Sequence, residues 1–167
     1  MVNIKKVKEI YNKAMSKSEI MYSGLDSDFD SQADIEYFSH LLDQFLKSSF
    51  KFSFFIFLKK KKLFKLLFCA IILSQKYYNN KINQDTYFRD VCISILEERN
   101  TKYGDAYKLC NSPGIYVLII FKLQRIVYML THQKHDDLLD SIIDLTNYSM
   151  LFIECVNKNV FRKILKI

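Results

Sequence analysis

Apolar residues return every three or four positions through most of this chain, the period of a helix with one buried face. Ile4, Val7, Ile10, Tyr11 and Ala14 form the first such stripe, with lysines on the other side. After a loop rich in Asp and Ser over residues 23–30, Ser31 and Asp34 read as an N-terminal cap. The second helix they open has the stripe Ile35, Phe38, Leu41, Leu42 and Phe45. A third starts near Asp85 or Thr86 and buries Phe88, Val91, Cys92, Ile95 and Leu96. It ends at Gly104, because glycine accepts the left-handed conformation common just past a helix end. Ser112-Pro113 predicts a fourth helix, to about Thr131, since proline at the first helical position gives up only an amide that would be unpaired. Asp136 and Asp137 predict a fifth, capped and charge-stabilised at its start, to about Asn157.

Residues 51–82 break the pattern. An apolar run at Phe52–Leu58 is followed by Lys59 to Lys62, then by a second run from Leu63 to Leu73 that only Lys65 interrupts. Neither run reaches the roughly 20 apolar residues of a spanning helix. A helix across both would hold four lysines near the bilayer centre, at a cost of about 2.5–3.5 kcal/mol each, so no transmembrane helix is predicted. Three readings stay open: a buried strand-like or helical segment with an exposed lysine loop, a surface segment drawn to anionic lipid, or an insertion without packed structure.

With three Gly and one Pro, the chain lacks the turn residues of a many-stranded sandwich or barrel. The fold class is therefore all-α, a small antiparallel bundle of about five helices with a basic apolar insertion. Residues 1–50 supply N-terminal amphipathic helices, 51–82 a Lys/Phe-rich insertion or linker, and 83–167 a helical domain. The net charge of +7 is local: residues 51–82 carry eight lysines and no acid, and the flanking parts nearly cancel. A basic footprint over the whole domain is absent, so nucleic acid is not a predicted partner. Cys69, Cys92, Cys110 and Cys155 form no CxxC pair and sit among apolar neighbours, the pattern of free thiols in a reducing compartment. The first twenty residues have no apolar signal region, and an intracellular, cytoplasmic location is expected. Homo-oligomerisation is left open.

Two helices carry polar residues against the grain of their surroundings. The fifth is apolar over most of its circumference, yet Asp140, Asp144 and Asn147 recur at four and three and share a face. Two carboxylates at that spacing repel by about 0.2–0.5 kcal/mol, which a cation would relieve. The fourth is almost wholly apolar apart from Lys122, Gln124 and Arg125. An interhelical salt-bridge cluster of Lys122 and Arg125 against Asp140 and Asp144 accounts for both without any chemistry; a functional site accounts for them equally. His132 and His135 flank a helix boundary, with no third ligand at zinc spacing.

The string ILEERNTKYGDAY from Ile95, then FKLQRI, then DSIIDLTNY resembles the nucleotide modification associated domain 1 family. The matching residues are Asn100, Tyr103, Gly104 and Asp105; Lys122 and Arg125; and Asp140, Asp144, Leu145, Asn147 and Tyr148. Coverage is residues 86–156, and Lys102 stands where the family has an acid. That pattern is similar in turn to the MazG-like all-α nucleoside triphosphate pyrophosphatases. The resemblance implies a nucleotide as ligand and Mg²⁺ as cofactor, with hydrolysis of a nucleoside triphosphate to monophosphate and pyrophosphate. On it, Glu97 or Glu98 would serve catalysis, and Glu98, Asp140 and Asp144 would hold the metal. Asn100, Asp105, Lys122, Arg125, Asn147 and Tyr148 would bind substrate. The usual third acid of the first motif is Thr101 here. The alternative is a catalytically inert helical module that binds a protein partner or an anionic membrane surface.

Overall fold

A computed structural model of the chain describes residues 3–17, 31–49, 56–82, 87–103, 106–134 and 136–164. Every regular element among them is an α-helix: α1 Ile4–Met15, α2 Ser31–Ser49, α3 Ile56–Ile82, α4 Phe88–Tyr103, α5 Ala106–Thr131 and α6 Leu138–Ile164. The apolar stripes face inward, with Val7, Tyr11 and Ala14 of α1, Phe38, Leu41 and Phe45 of α2, and Phe88, Cys92 and Leu96 of α4 all buried. At the start of α1 the Asn3 side chain accepts a hydrogen bond from the Lys6 N–H at 3.1 Å, capping one of the amides that a helix leaves unpaired. The loop at 23–30, Asp85, Thr86, Gly104, Asp105 and His135 lie outside the described residues.

The middle segment is a core helix. Leu67, Phe68, Ala70, Ile71, Ile72, Leu73, Tyr77 and Tyr78 of α3 belong to one buried cluster that takes residues from all six described helices. The helical, buried reading of residues 51–82 is thus the one that describes the fold from Ile56 on, in place of a linker or unpacked insertion. The lysine run falls inside α3 rather than in a loop. Hydrophobic burial explains why. A fully buried Ile, Leu or Phe contributes about 1.5–3 kcal/mol, and these eight buried side chains outweigh the repulsion among neighbouring lysines, of which Lys62 and Lys65 are exposed.

A second correction concerns α5, which begins at Ala106 and not at Pro113. Proline in a helix interior offers no N–H to the carbonyl four residues back, here that of Leu109, at a cost of about 3 kcal/mol relative to alanine. The inner face of the same helix offsets that cost, with Ile115, Tyr116, Ile119, Leu123, Ile126, Met129 and Leu130 buried. Tyr116 also donates its hydroxyl to the Phe45 carbonyl at 2.7 Å, tying α5 to α2. By length and hydropathy Pro113–Thr131 is the one stretch of the described helices that matches a membrane span; here that inner face packs against α2 and α6.

The exit from α5 sets the entry to α6. Gln133 adopts a left-handed backbone (φ 52°), and the N–H groups of Gln133 and Lys134 reach back to the Leu130 and Met129 carbonyls at 3.3 and 2.9 Å. This pair of bonds closes the helix end without glycine. The Asp137 main-chain carbonyl then accepts from the Ser141 N–H and hydroxyl, both at 3.1 Å, at the start of α6. Helix α6 is the centre of the bundle, packed against α5, α3, α1 and α4. The Cys92 carbonyl meets Asn147 while Arg99, further along α4, meets Asp140, so α4 and α6 run antiparallel.

Candidate functional site

Helix periodicity brings four charges together where α4, α5 and α6 meet. Asp140 and Asp144 lie one turn apart on α6, with Asn147 a further turn along the same face. Lys122 projects from α5 and Arg99 from α4, three and seven residues past the buried Leu96 and Cys92, so that it shares their inward face. The guanidinium of Arg99 donates through one nitrogen to Asp144 Oδ1 and through the other to Asp140 Oδ1, the latter at 2.9 Å. The ammonium of Lys122 stands on the other side of both acids, 2.6 Å from Asp144 Oδ2 and 3.8 Å from Asp140 Oδ2. Each carboxylate therefore presents one oxygen to each cation.

Burial differs sharply across this cluster. The Asp144 side chain is 5 % exposed and that of Lys122 18 %, against 38 % for Arg99 and 49 % for Asp140. Asp144 is thus the interior anchor, and Asp140 and Arg99 form its solvent edge. Burial works against the Arg99 charge, but Asp144 and then Asp140 outweigh it and hold the guanidinium above its ordinary value. A buried carboxylate with both oxygens engaged by cations avoids the several-kcal/mol desolvation cost of an unpaired charge.

The remaining residues singled out by sequence lie apart from this cluster or beside it. Arg125 turns away from Asp140 and Asp144 and pairs with Asp137 at 2.7 Å, at the mouth of the α5–α6 connection. Asn147 is buried and donates to the Cys92 carbonyl at 3.1 Å, which fixes α6 against α4. Its Oδ1 and the buried Oδ1 of Asn100 have no hydrogen-bond partner among the described residues. Tyr148 is half-buried beside the core. Glu97 and Glu98 are exposed, off the α4 face that carries Leu96 and Arg99. Among the described residues no three His, Cys, Asp or Glu side chains gather as a metal-binding group. The side chain that α4 turns to the acid pair is Arg99, where Glu97 or Glu98 was expected. The signal for it was present: a charged residue in step with Cys92 and Leu96 sits on the buried stripe, whereas the two glutamates do not.

Elsewhere, His132 stacks on Tyr128 at 4.1 Å, with Lys134 Nζ 5.5 Å from the same ring, a surface arrangement at the end of α5. Cys92 is buried, and desolvation pushes its thiol well above the ordinary range; Cys69 and Cys155 are partly buried. Comparisons of the chain with protein-family models, with curated proteins and with solved structures return no match.

Proposed function

We propose that the chain binds a nucleoside triphosphate together with Mg²⁺ at the junction of α4, α5 and α6. One observation supports this above the others: the Lys122 ammonium sits between the Oδ2 atoms of Asp140 and Asp144, so a positive charge already stands between two hard oxygen ligands. Mg²⁺ takes oxygen ligands and commonly holds only one or two protein carboxylates, completing its shell with substrate phosphates and water. Asp140 and Asp144 fit that role and would hold the ion. Bound there, the metal would neutralise the triphosphate and polarise its phosphorus–oxygen bonds. Lys122 and Arg99, exchanged off the acids, have the charge and reach for phosphate oxygens, the guanidinium through paired donors. Glu97 and Glu98 have no part in this reading of binding. Cleavage to monophosphate and pyrophosphate is the further step that the resemblance implies.

A helical module without chemistry of its own is the second reading, and a different observation favours it. Both oxygens of Asp144 already have partners, and α5 turns Val117, Phe121 and Tyr128 outward with about half or more of each exposed. The two readings separate on a panel of nucleoside triphosphates, assayed with Mg²⁺ for equilibrium binding and for pyrophosphate release. Saturable, Mg²⁺-dependent binding of any member supports the first. No binding across the panel at millimolar nucleotide rejects it in favour of the second.

A further inference from the structure

The lysines of α1 and α3 form one surface. On α1, Lys6 and Lys13 lie seven apart and so share a flank, Lys17 follows in the turn just past the helix end, and all three are exposed. On α3, Lys62 and Lys65 are exposed at a spacing of three. The two helices pack antiparallel: Tyr11 donates to Gln75, and Lys17 Nζ lies 5.4 Å from the centroid of the Phe68 ring, one turn along from Lys65. The end of α1 that carries Lys13 and Lys17 therefore lies beside the end of α3 that carries Lys62 and Lys65. The run Lys59, Lys60 and Lys61 continues α3 beyond that point. None of these five exposed lysines has a carboxylate partner among the described residues, and Glu9 is the one described acid of α1.

We infer that this α1–α3 face docks on an anionic lipid surface, independently of any nucleotide site. Unpaired lysines on one face attract an extended field of negative charge, and each is worth about fivefold in affinity near an anionic leaflet. Among the described residues Glu9 is the one acid on this flank, α1 and α3 carry no arginine, and none of their described aromatics is exposed, so the face lacks the arginine forks and aromatic platforms that hold phosphodiester strands and stacked bases. Because the lysines are solvated, their attraction is screened over about 8 Å at physiological salt, so docking must weaken steeply as salt rises.

Sedimentation of the full chain with phosphatidylcholine vesicles, with and without one-third phosphatidylserine, tests this. Binding should require phosphatidylserine, fall away in high salt, and weaken at least about 25-fold in the Lys13→Glu/Lys17→Glu variant. Circular dichroism of that variant should match the wild type, since both side chains are exposed. Lys47→Glu on α2, one such charge reversal away from this face, should change binding by less than about fivefold. Equal binding to neutral vesicles, or equal loss from Lys47→Glu, overturns the assignment of this face. Preference for a polynucleotide competitor over the vesicles overturns the choice of lipid.

Discussion

Replacing Asp144 by asparagine keeps the shape of the side chain and removes the charge on which Arg99 and Lys122 converge. In the native bundle its two oxygens face the Arg99 guanidinium and, at 2.6 Å, the Lys122 ammonium. Breaking a buried ion pair by removing one partner costs about 3–5 kcal/mol, because a charge is left stranded. Two features of the site reduce that figure. Arg99 is more than a third exposed and keeps its 2.9 Å contact with Asp140, so solvent screens it. Lys122 keeps Asp140 at 3.8 Å and can extend its stem toward water. A loss of about 2–3 kcal/mol follows, or a fall of roughly 4–12 °C in Tm for a chain of this size. Urea denaturation of wild type and Asp144→Asn without metal measures it, with unchanged slope as evidence that both unfold alike. A loss below about 0.5 kcal/mol, or a gain, would refute the interior ion cluster; the repulsion between Asp140 and Asp144, worth about 0.2–0.5 kcal/mol, would then be the dominant effect.

Three further outcomes follow from the fold. Ile71→Ala, in the middle segment, should cost about 2–5 kcal/mol in the same denaturation assay, because the side chain is fully buried; a surface-like loss would return α3 to an insertion. Gln133→Gly should raise stability by about 1 kcal/mol by removing the penalty of a left-handed non-glycine residue, read as a higher denaturation midpoint. Burial, with Asp34 adding to it, pushes the Tyr77 phenol up to about 12. The neutral form is the one the fold stabilises, so its contribution is intact below pH 10 and is lost as pH rises from there through about 12. An alkaline titration of stability should show that loss, and Tyr77→Phe should lessen it.

The all-α class, the buried faces of α1, α2 and α4 and the start of α6 just after Asp137 were legible because each rests on local periodicity or a local start signal. Two features were not. Residues 56–82 have apolar side chains over so much of the circumference that the stripe is blurred, and the partners on α1, α2, α4 and α6 decide which side is inward. Pro113 carried a strong start signal, and no local rule weighs it against the burial of Ile115 and Ile119 within the same helix. The acid pair was visible from its spacing, but its cationic partners were legible only in part. Lys122 stands out in its apolar helix, Arg125 three residues on meets Asp137 and not Asp140 or Asp144, and Arg99 stands directly beside two conspicuous glutamates. Which cation meets which acid depends on the registers of α4 and α5 against α6, a long-range quantity that pattern does not contain.

Titration calorimetry of a nonhydrolysable nucleoside triphosphate into the full chain, with and without Mg²⁺, reads out binding at the α4–α5–α6 junction. Asp140→Asn is the variant of choice, because that side chain is half exposed and its loss leaves Asp144 with both partners. Binding should be saturable, depend on Mg²⁺ and weaken at least about tenfold in Asp140→Asn, the amide lacking the charge that holds the cation. Binding that is indifferent to Mg²⁺ and to Asp140→Asn, or no binding by a wild-type chain that unfolds cooperatively, would contradict the proposed nucleotide site.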